Sequence, residues 1–586
     1  MNIQEYNILL QLTKSPYENQ RALAKSCGYS LGTVNQSLKK LLENAYIDST
    51  YTITQKAMAE LRQKRPNNAI ILAAGTGMRM IPVNLSKPKG LIEVYGEPLI
   101  ERLIKQLQEA GIYDITIIVG FMKEQHEYLI DKYGVELIVN PDYYTKNNLH
   151  TLALALDLLS NTYIVPCDIW CKENPFHSYE LYSWYMVSDM LSEDSSFRIN
   201  RKMELVTAHG NTPGNAMIGI SYLLDRETAF VKQKIQELSR DAHYNHSFWE
   251  ESLVCKGKMI AAPKLVSALS AIEINTYEQL REIDTTSNQL KSDAIQIITE
   301  VLKTKADNIK NISVLKKGMT NRSFTFECEQ QKYIMRIPGE GTKQLINREN
   351  ETSVYQTIKD TRYCDDVLYI NPKNGYKLTK YWDNARTCNR LDKCDIRKCM
   401  KLLMSFHKQE LAVEHEFDIF QQIQFYESLW GDNHSVYPDY MQTKRNVFSL
   451  QAYINKQCPK KTLTHLDAVP DNFLFVKHED NTETIHLIDW EYAGMQDPHV
   501  DIAMFCIYAM YDRDMIDFVI DTYFKNKCPQ SVRLKIYCYI ASCGLLWSNW
   551  CEYKQQLGVE FGEYSLRQYR YAKIYYNIVQ EEIKKL

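Results

Sequence analysis

His465-Leu466-Asp467-Ala468-Val469-Pro470-Asp471-Asn472, followed by Ile488-Asp489-Trp490-Glu491, is the stretch from which the rest of the chain can be read. Asp467 and Asn472 stand as D-x-x-x-x-N, and Asp489 comes 17 residues after Asn472. Residues 472–476 and 484–488 are apolar and β-branched around a polar turn, which predicts a hairpin. Such a hairpin returns Asn472 and Asp489 to one edge of a sheet. The residue types then suit one chemistry. Phosphoryl transfer needs a carboxylate to take the proton of an attacking hydroxyl, with an amide oxygen and a second carboxylate to hold metal ions. The plainer reading is that Asp467 and Asp489 are strand-end acids without a shared task.

Upstream, Leu315-Lys316-Lys317-Gly318-Met319-Thr320-Asn321 opens the last third of the chain between two strand patterns, and Tyr333-Ile334-Met335-Arg336-Ile337 follows. Glu351 lies on one helical face with Val354, Tyr355 and Ile358, so it is the expected partner of Arg336; Glu349 is the second choice. Downstream come Pro498-His499-Val500-Asp501 and the pair Trp547/Trp550, three apart on one side of a helix. Over about 310–580 these motifs resemble the choline kinases and their aminoglycoside-phosphotransferase relatives, which have a two-lobed, protein-kinase-like fold. The resemblance implies that Gly318, Thr320, Asn321 and Arg336 hold ATP. It further implies that Asp467 is the catalytic base, that Asn472 and Asp489 bind Mg²⁺, and that Asp501 is structural. It also implies a choline site built from Trp547, Trp550, Tyr571 and the Glu491 carboxylate. A quaternary ammonium has no N–H to donate, so aromatic faces and a carboxylate must bind it. A tryptophan pair on a helix can equally be core packing.

Before this comes a second pattern. Ala69-Ile70-Ile71-Leu72-Ala73-Ala74 reads as a buried strand ending in Gly75-Thr76-Gly77-Met78-Arg79, where glycines allow backbone amides close to phosphates. It continues into Lys87-Pro88-Lys89-Gly90 and Gly96-Glu97-Pro98. A dinucleotide-binding unit has no place for Lys87-Pro88-Lys89. The combination resembles sugar-phosphate and choline-phosphate nucleotidyltransferases, doubly wound α/β domains that would use CTP and Mg²⁺ here. The resemblance puts nucleotide binding on Ala73, Ala74, Gly75 and Gly77, and phosphate charge on the catalytic cations Arg79 and Lys89. It puts metal on Asp168. Asn147-Asn148-Leu149 matches the phosphocholine branch, so Asn148 is either a pocket residue or a helix N-cap. The second metal acid of the family falls on Asn275, an amide that brings no charge to a cation. No aromatic cluster marks a trimethylammonium pocket in 192–214; Trp170 and Trp249 are the candidates to replace it.

Residues 1–66 show three helical patterns, a short alternating stretch from Asp48 to Thr54 and a closing helix, a layout resembling a winged helix-turn-helix. Asn35, Gln36, Lys39 and Lys40 share the third helix's polar face, as residues facing duplex DNA do. Lysine and arginine outnumber acids nine to five in this segment. Its alternatives are DNA recognition and a docking role.

The expected architecture is therefore multidomain, α/β and α+β: 1–66, 67–290 and 291–586. At 586 residues, 45% hydrophobic, 24% charged and net charge −3, neither nucleic acid nor membrane is demanded as a partner by composition. Fifteen cysteines without a C-x-x-C pair fit reduced thiols, and no leader or long apolar run is evident, so a cytoplasmic protein is expected. The combined expectation is phosphorylation of choline by ATP, then conversion of phosphocholine to CDP-choline, serving phosphocholine decoration of surface glycans. Ethanolamine or another amino alcohol is the alternative substrate. A choline-responsive DNA-binding regulator with a degenerate transferase is the alternative role.

Overall fold

Asn68–Ala73 (β1) is buried along its whole length because the sheet around it is covered on both faces. Ala69, Ile71 and Ala73 enter one apolar cluster, while Ile70 and Leu72 enter another on the opposite face. This computed structural model describes residues 1–585 apart from 86, 194, 209–211, 316–320, 340–344, 362, 459, 479 and 558. The chain separates into two compact units, Met1–Gln296 and Ile297–Leu586.

In the first unit β1 is flanked by parallel strands Ile115–Val119 (β2) and Thr162–Pro166 (β4), with Glu136–Val139 (β3) beyond β2. Ile169–Cys171 (β5) leaves the sheet. Trp184–Ser192 (β6), Gly214–Leu223 (β7) and Ala262–Val266 (β8) extend the other edge, giving the order β8-β6-β7-β4-β1-β2-β3. Strand β7 runs antiparallel to both neighbours, so the sheet is mixed. Ala271–Glu273 (β9) pairs with β5 and sets Glu273 opposite Ile169, next to Asp168.

The same unit contains the N-terminal segment. Ile3–Lys14 (α1), Gln20–Cys27 (α2), Leu31–Glu43 (α3) and Gln55–Gln63 (α4) begin at the caps Asn2, Asn19, Ser30 and Thr54. Gly28 ends α2 at φ +68°, a left-handed cap that favours glycine. The expected β-wing reduces to one antiparallel bridge, Ile47 to Ile53, because Asp48 bonds Thr50 and Thr52 into a tight turn. Leu181, from the transferase-like segment, is fully buried in the apolar core of these helices. Tyr182 donates to Asn7 at 3.1 Å, and Tyr222 donates to the Lys64 carbonyl at 2.9 Å.

The second unit opens with a five-stranded antiparallel sheet. Its strands are Lys310–Val314 (β10), Asn321–Cys328 (β11), Gln331–Pro338 (β12), Val367–Ile370 (β13) and Lys377–Lys380 (β14), in the order β10-β11-β12-β14-β13. Helix Arg348–Ile358 (α5) precedes β13. The hairpin read from the sequence is Phe473–Lys477 (β15) against Glu483–Leu487 (β16), with Phe473 opposite Leu487. Helices Gln530–Gln556 (α6) and Glu563–Ile583 (α7) form the helical part with α6 buried over most of its length.

Candidate active sites

The first site forms where β1 and β4 end. Gly77, at φ +59°, lets the loop after β1 lie against Lys89; a Cβ there would stand 3.2 Å from the Lys89 Cβ. Ala73 and Ala74 are buried below it and Gly75 is exposed. The Lys89 ammonium bonds the Asp168 Oδ2 and the Asn275 Oδ1, the latter at 2.6 Å. Arg79 donates to the same Asn275 Oδ1 at 2.9 Å. Lys87 is taken by Glu93 at 2.7 Å, leaving Lys89 as the lysine of that element at the site. The other Asp168 oxygen, Oδ1, is buried without a hydrogen-bond partner. Burial and the Asp168 charge both push the Glu273 carboxyl above its ordinary range.

A divalent cation fits this donor set. Asp168 Oδ1 is an orphaned oxygen beside a second carboxylate, and Mg²⁺ is held by one or two carboxylates plus substrate phosphates. Asn275 does not fit as a ligand, since its oxygen already accepts from two cations. That corrects the expected metal role, and Glu273 is the acid sequence reasoning passed over although it opens the same Glu273-Ile274-Asn275 element. Among the described residues no cluster of three or more His, Cys, Asp or Glu side chains is arranged for a metal.

Asn148 is not the helix cap. Asn147 caps the turn, while Asn148 Oδ1 accepts from the backbone N–H of Trp249 at 2.8 Å. Trp249 is fully buried beside Tyr185, so it forms no cage wall. Trp170 lies under the Arg102 guanidinium at 5.5 Å, an interaction that already uses its face.

The second site is built on the opening stretch. Asp501 accepts the Leu466 N–H at 2.7 Å and the His465 N–H at 3.1 Å, fixing the backbone just before Asp467. Asn472 donates from Nδ2 to the Asp467 carbonyl at 2.9 Å and carboxylate at 3.0 Å. The Ile488 N–H donates to the Asn472 carbonyl at 3.0 Å, tying the two halves of the motif together. Leu466 and Asp489 both hold positive φ, +66° and +67°, uncommon for residues with a side chain and concentrated where function fixes the backbone. Burial, then the charges of Asp489 and Glu491, push Asp467 well above the usual carboxylate range.

Arg336 meets Glu351 through both guanidinium nitrogens, one pair at 2.9 Å, and Arg348 adds a third bond at 2.8 Å. Burial raises the Glu351 carboxyl, but Arg336 beside it outweighs that and holds it down at about 2. Glu349 is exposed and takes no part. Glu491 lies 3.3 Å from Arg348, and burial lifts it to about 7. Lys377, set opposite Arg336 across β12 and β14, is a second buried cation that sequence reasoning missed; it donates to Tyr355 at 2.6 Å. Gly318 and Thr320 lie outside the described residues, as does the side chain of Asn321.

The aromatic groups fall differently from the expected box. Trp547 and Trp550 stack edge-on at 5.4 Å, but Trp547 also meets Tyr492 at 5.8 Å and Trp550 meets Phe561 at 5.3 Å. Tyr571 donates to the Tyr511 carbonyl at 2.5 Å and packs toward Tyr575 at 6.0 Å, between helices. A cavity of about 330 Å³ beside the catalytic loop is lined instead by Pro470, Asp471, Tyr508, Phe561 and Tyr564, among others. Tyr508 donates to Asp471 at 2.8 Å. The signal for this cavity was Asp471 within the motif itself; Phe561 and Tyr564 carried none.

Three family models match the chain: wHTH-PRTase associated over 7–77, MobA-like NTP transferase over 69–176 and choline/ethanolamine kinase over 312–542. A choline-phosphate cytidylyltransferase of Streptococcus pneumoniae is 46% identical over 110 residues, 19% of this chain and 48% of that relative, so the match spans about half its length. A 2-aminoethylphosphonate cytidylyltransferase of Lancefieldella rimae is 32% identical over 191 residues, 31% of this chain and 78% of the relative. Protein LicA of Haemophilus influenzae is 28% identical over 262 residues, 42% of this chain and 95% of that protein. The solved choline kinase LicA of Streptococcus pneumoniae, at 27% identity, covers 49% of this chain and 99% of its own, with a TM-score of 0.43.

Proposed function

We propose, for a chain that belongs to the cytidylyltransferases in its middle segment and carries a choline/ethanolamine kinase domain after it, two consecutive reactions on one polypeptide. Residues 291–586 phosphorylate choline with ATP, and residues 67–290 join the phosphocholine to CTP, releasing pyrophosphate. Residues 1–66 are a regulatory or DNA-binding module. We place the protein in the cytoplasm, supplying CDP-choline for phosphocholine decoration of surface glycans. No described helix is long and apolar enough to cross a membrane.

The observation that carries the reading is the locked set Asp467–Asn472–Asp501, with Asp489 tied to it. Asp467 takes the proton of the alcohol, and Asn472 fixes its carboxylate. Arg336, fixed by Glu351, and Lys377 meet the ATP phosphates. Asn472 and Asp489 would hold Mg²⁺ in this site, as Asp168 and Glu273 would in the other; the ion supplies charge compensation to the phosphates. In the transferase, Arg79 and Lys89 neutralise the triphosphate while the phosphate of the second substrate attacks. The test is purified protein with choline, ATP, CTP and Mg²⁺, followed separately for phosphocholine and CDP-choline. Absence of the first product sinks the kinase assignment, and absence of the second sinks the transferase assignment.

A second reading for the transferase has its own support. Trp170 and Trp249 are committed elsewhere, so an aminoethyl phosphate or phosphonate with a primary ammonium is the competing substrate. The same assay with 2-aminoethyl substrates decides between them.

A further inference from the structure

Asn275 sits between groups of opposite charge. Its Oδ1 accepts from Arg79 at 2.9 Å and from Lys89 at 2.6 Å, so both lone pairs are engaged. Glu273 opens the same element two residues earlier and lies opposite Ile169, next to Asp168. The side chain is buried, 8% exposed, and its backbone N–H is pinned by Gln279 at 2.7 Å. A neutral amide oxygen accepts from both cations without cancelling their charge. A carboxylate there would repel Glu273 and neutralise both cations. Alanine would release Arg79, an exposed side chain that gives up rotamer freedom to stay aimed.

We infer that Asn275 is a positioning residue for the nucleotide: a neutral bridge that aims Arg79 and Lys89 at the incoming triphosphate while keeping their positive charge. This rests on the transferase reading above. It also reverses what an amide at a metal site first suggests. Under the plain alternative, Asn275 is a weakened metal ligand and restoring the acid improves the site. Under the bridge, the acid harms it, because the ion pairs it would form compete with the phosphates for the same two cations.

The experiment uses the full chain and two binding readouts. CTP affinity is measured by calorimetry in EDTA, and Mn²⁺ binding without nucleotide is measured by electron paramagnetic resonance. For Asn275→Ala, CTP affinity should fall about tenfold, the scale of a lost hydrogen bond to a charged group, with Mn²⁺ affinity within about twofold of wild type. For Asn275→Asp, CTP affinity in EDTA should also fall about tenfold. A Mn²⁺ affinity that rises in Asn275→Asp while its CTP affinity in EDTA is undiminished, or a Mn²⁺ affinity that drops in Asn275→Ala, overturns the bridge in favour of a metal ligand. If wild-type protein itself binds no CTP, the transferase reading fails and this inference goes with it. If both variants bind CTP like wild type, the reading stands and the bridge alone is refuted. Melting of each variant within a few degrees of wild type separates these results from misfolding.

Discussion

Replacing Phe561 by leucine tests which aromatic face meets the ammonium group. Phe561 lines the cavity beside Asp471 and meets Trp550 in a tilted arrangement at 5.3 Å, with Trp550 only 3% exposed behind it. Phe561 is itself half-buried, so leucine keeps the apolar volume at a stability cost under about 1.5 kcal/mol. What leucine removes is the π face. A desolvated cation–π contact contributes about 2 kcal/mol, equivalent to roughly thirtyfold in binding. Choline, without N–H donors, should lose most of that; ethanolamine keeps three donors for Asp471 and backbone carbonyls. Phe561→Leu should therefore raise KM for choline roughly tenfold to thirtyfold, and for ethanolamine by a few-fold at most. Trp550→Ala is the contrast: it opens a core cavity at about 3–5 kcal/mol of stability and should affect both alcohols alike. The assay is initial rate against each alcohol at saturating ATP. If Trp550→Ala is selective for choline and Phe561→Leu is not, the tryptophans form the cage and this assignment of the cavity is wrong.

Asp467→Asn should lower kinase turnover about 10²–10⁴-fold while CDP-choline synthesis from supplied phosphocholine persists; retained kinase rate would remove Asp467 from the base role. Lys89→Ala should cut CTP-dependent pyrophosphate release about 10²–10³-fold and spare the kinase, and equal loss in both assays would point to unfolding. Burial lowers His465 to about 4, so the unfolded chain binds its proton near pH 6.5 and the folded chain does not. Stability should thus fall as pH drops from about 6.5 toward 4, and His465→Asn should flatten that slope by about one proton in urea titrations; an unchanged slope would refute it. Leu181→Ala should destabilise the helices of residues 3–43 by about 2–5 kcal/mol, read as faster amide exchange there, although the substitution lies in the transferase segment. Unchanged protection in 3–43 would mean that Leu181 is dispensable to that core.

Backbone-scale features were legible because they follow from local pattern. The hairpin after Asn472 and the fully apolar β1 each need only neighbouring residues to be read. Side-chain partners separated by long loops were not. Glu273 and Asp168 are brought together by β9 pairing with β5, a register that no local periodicity encodes. Lys377 stands opposite Arg336 only because β14 inserts between β12 and β13. Tyr571 looked like a cage wall from its place after the tryptophans, yet helix packing turns it toward Tyr511 and Tyr575. Leu181 joins the core of the N-terminal helices from more than a hundred residues away, a contact no local pattern in 1–66 encodes.

The two sites balance charge in opposite ways, and the difference follows their substrates. Among the described residues of the kinase site, Arg336 and Arg348 are answered by Glu351, and Lys377 by Asp365 at 3.4 Å. That leaves Asp467, Asp489 and Asp471 to set the sign around the acceptor, which suits an alcohol carrying a fixed positive charge. In the transferase Arg79 and Lys89 are held by an amide and Lys89 also pairs with Asp168, so on the proposed roles positive charge is left for the triphosphate and the phospho-alcohol. On the proposed roles, raising salt should weaken phosphocholine capture by the transferase more than choline capture by the kinase.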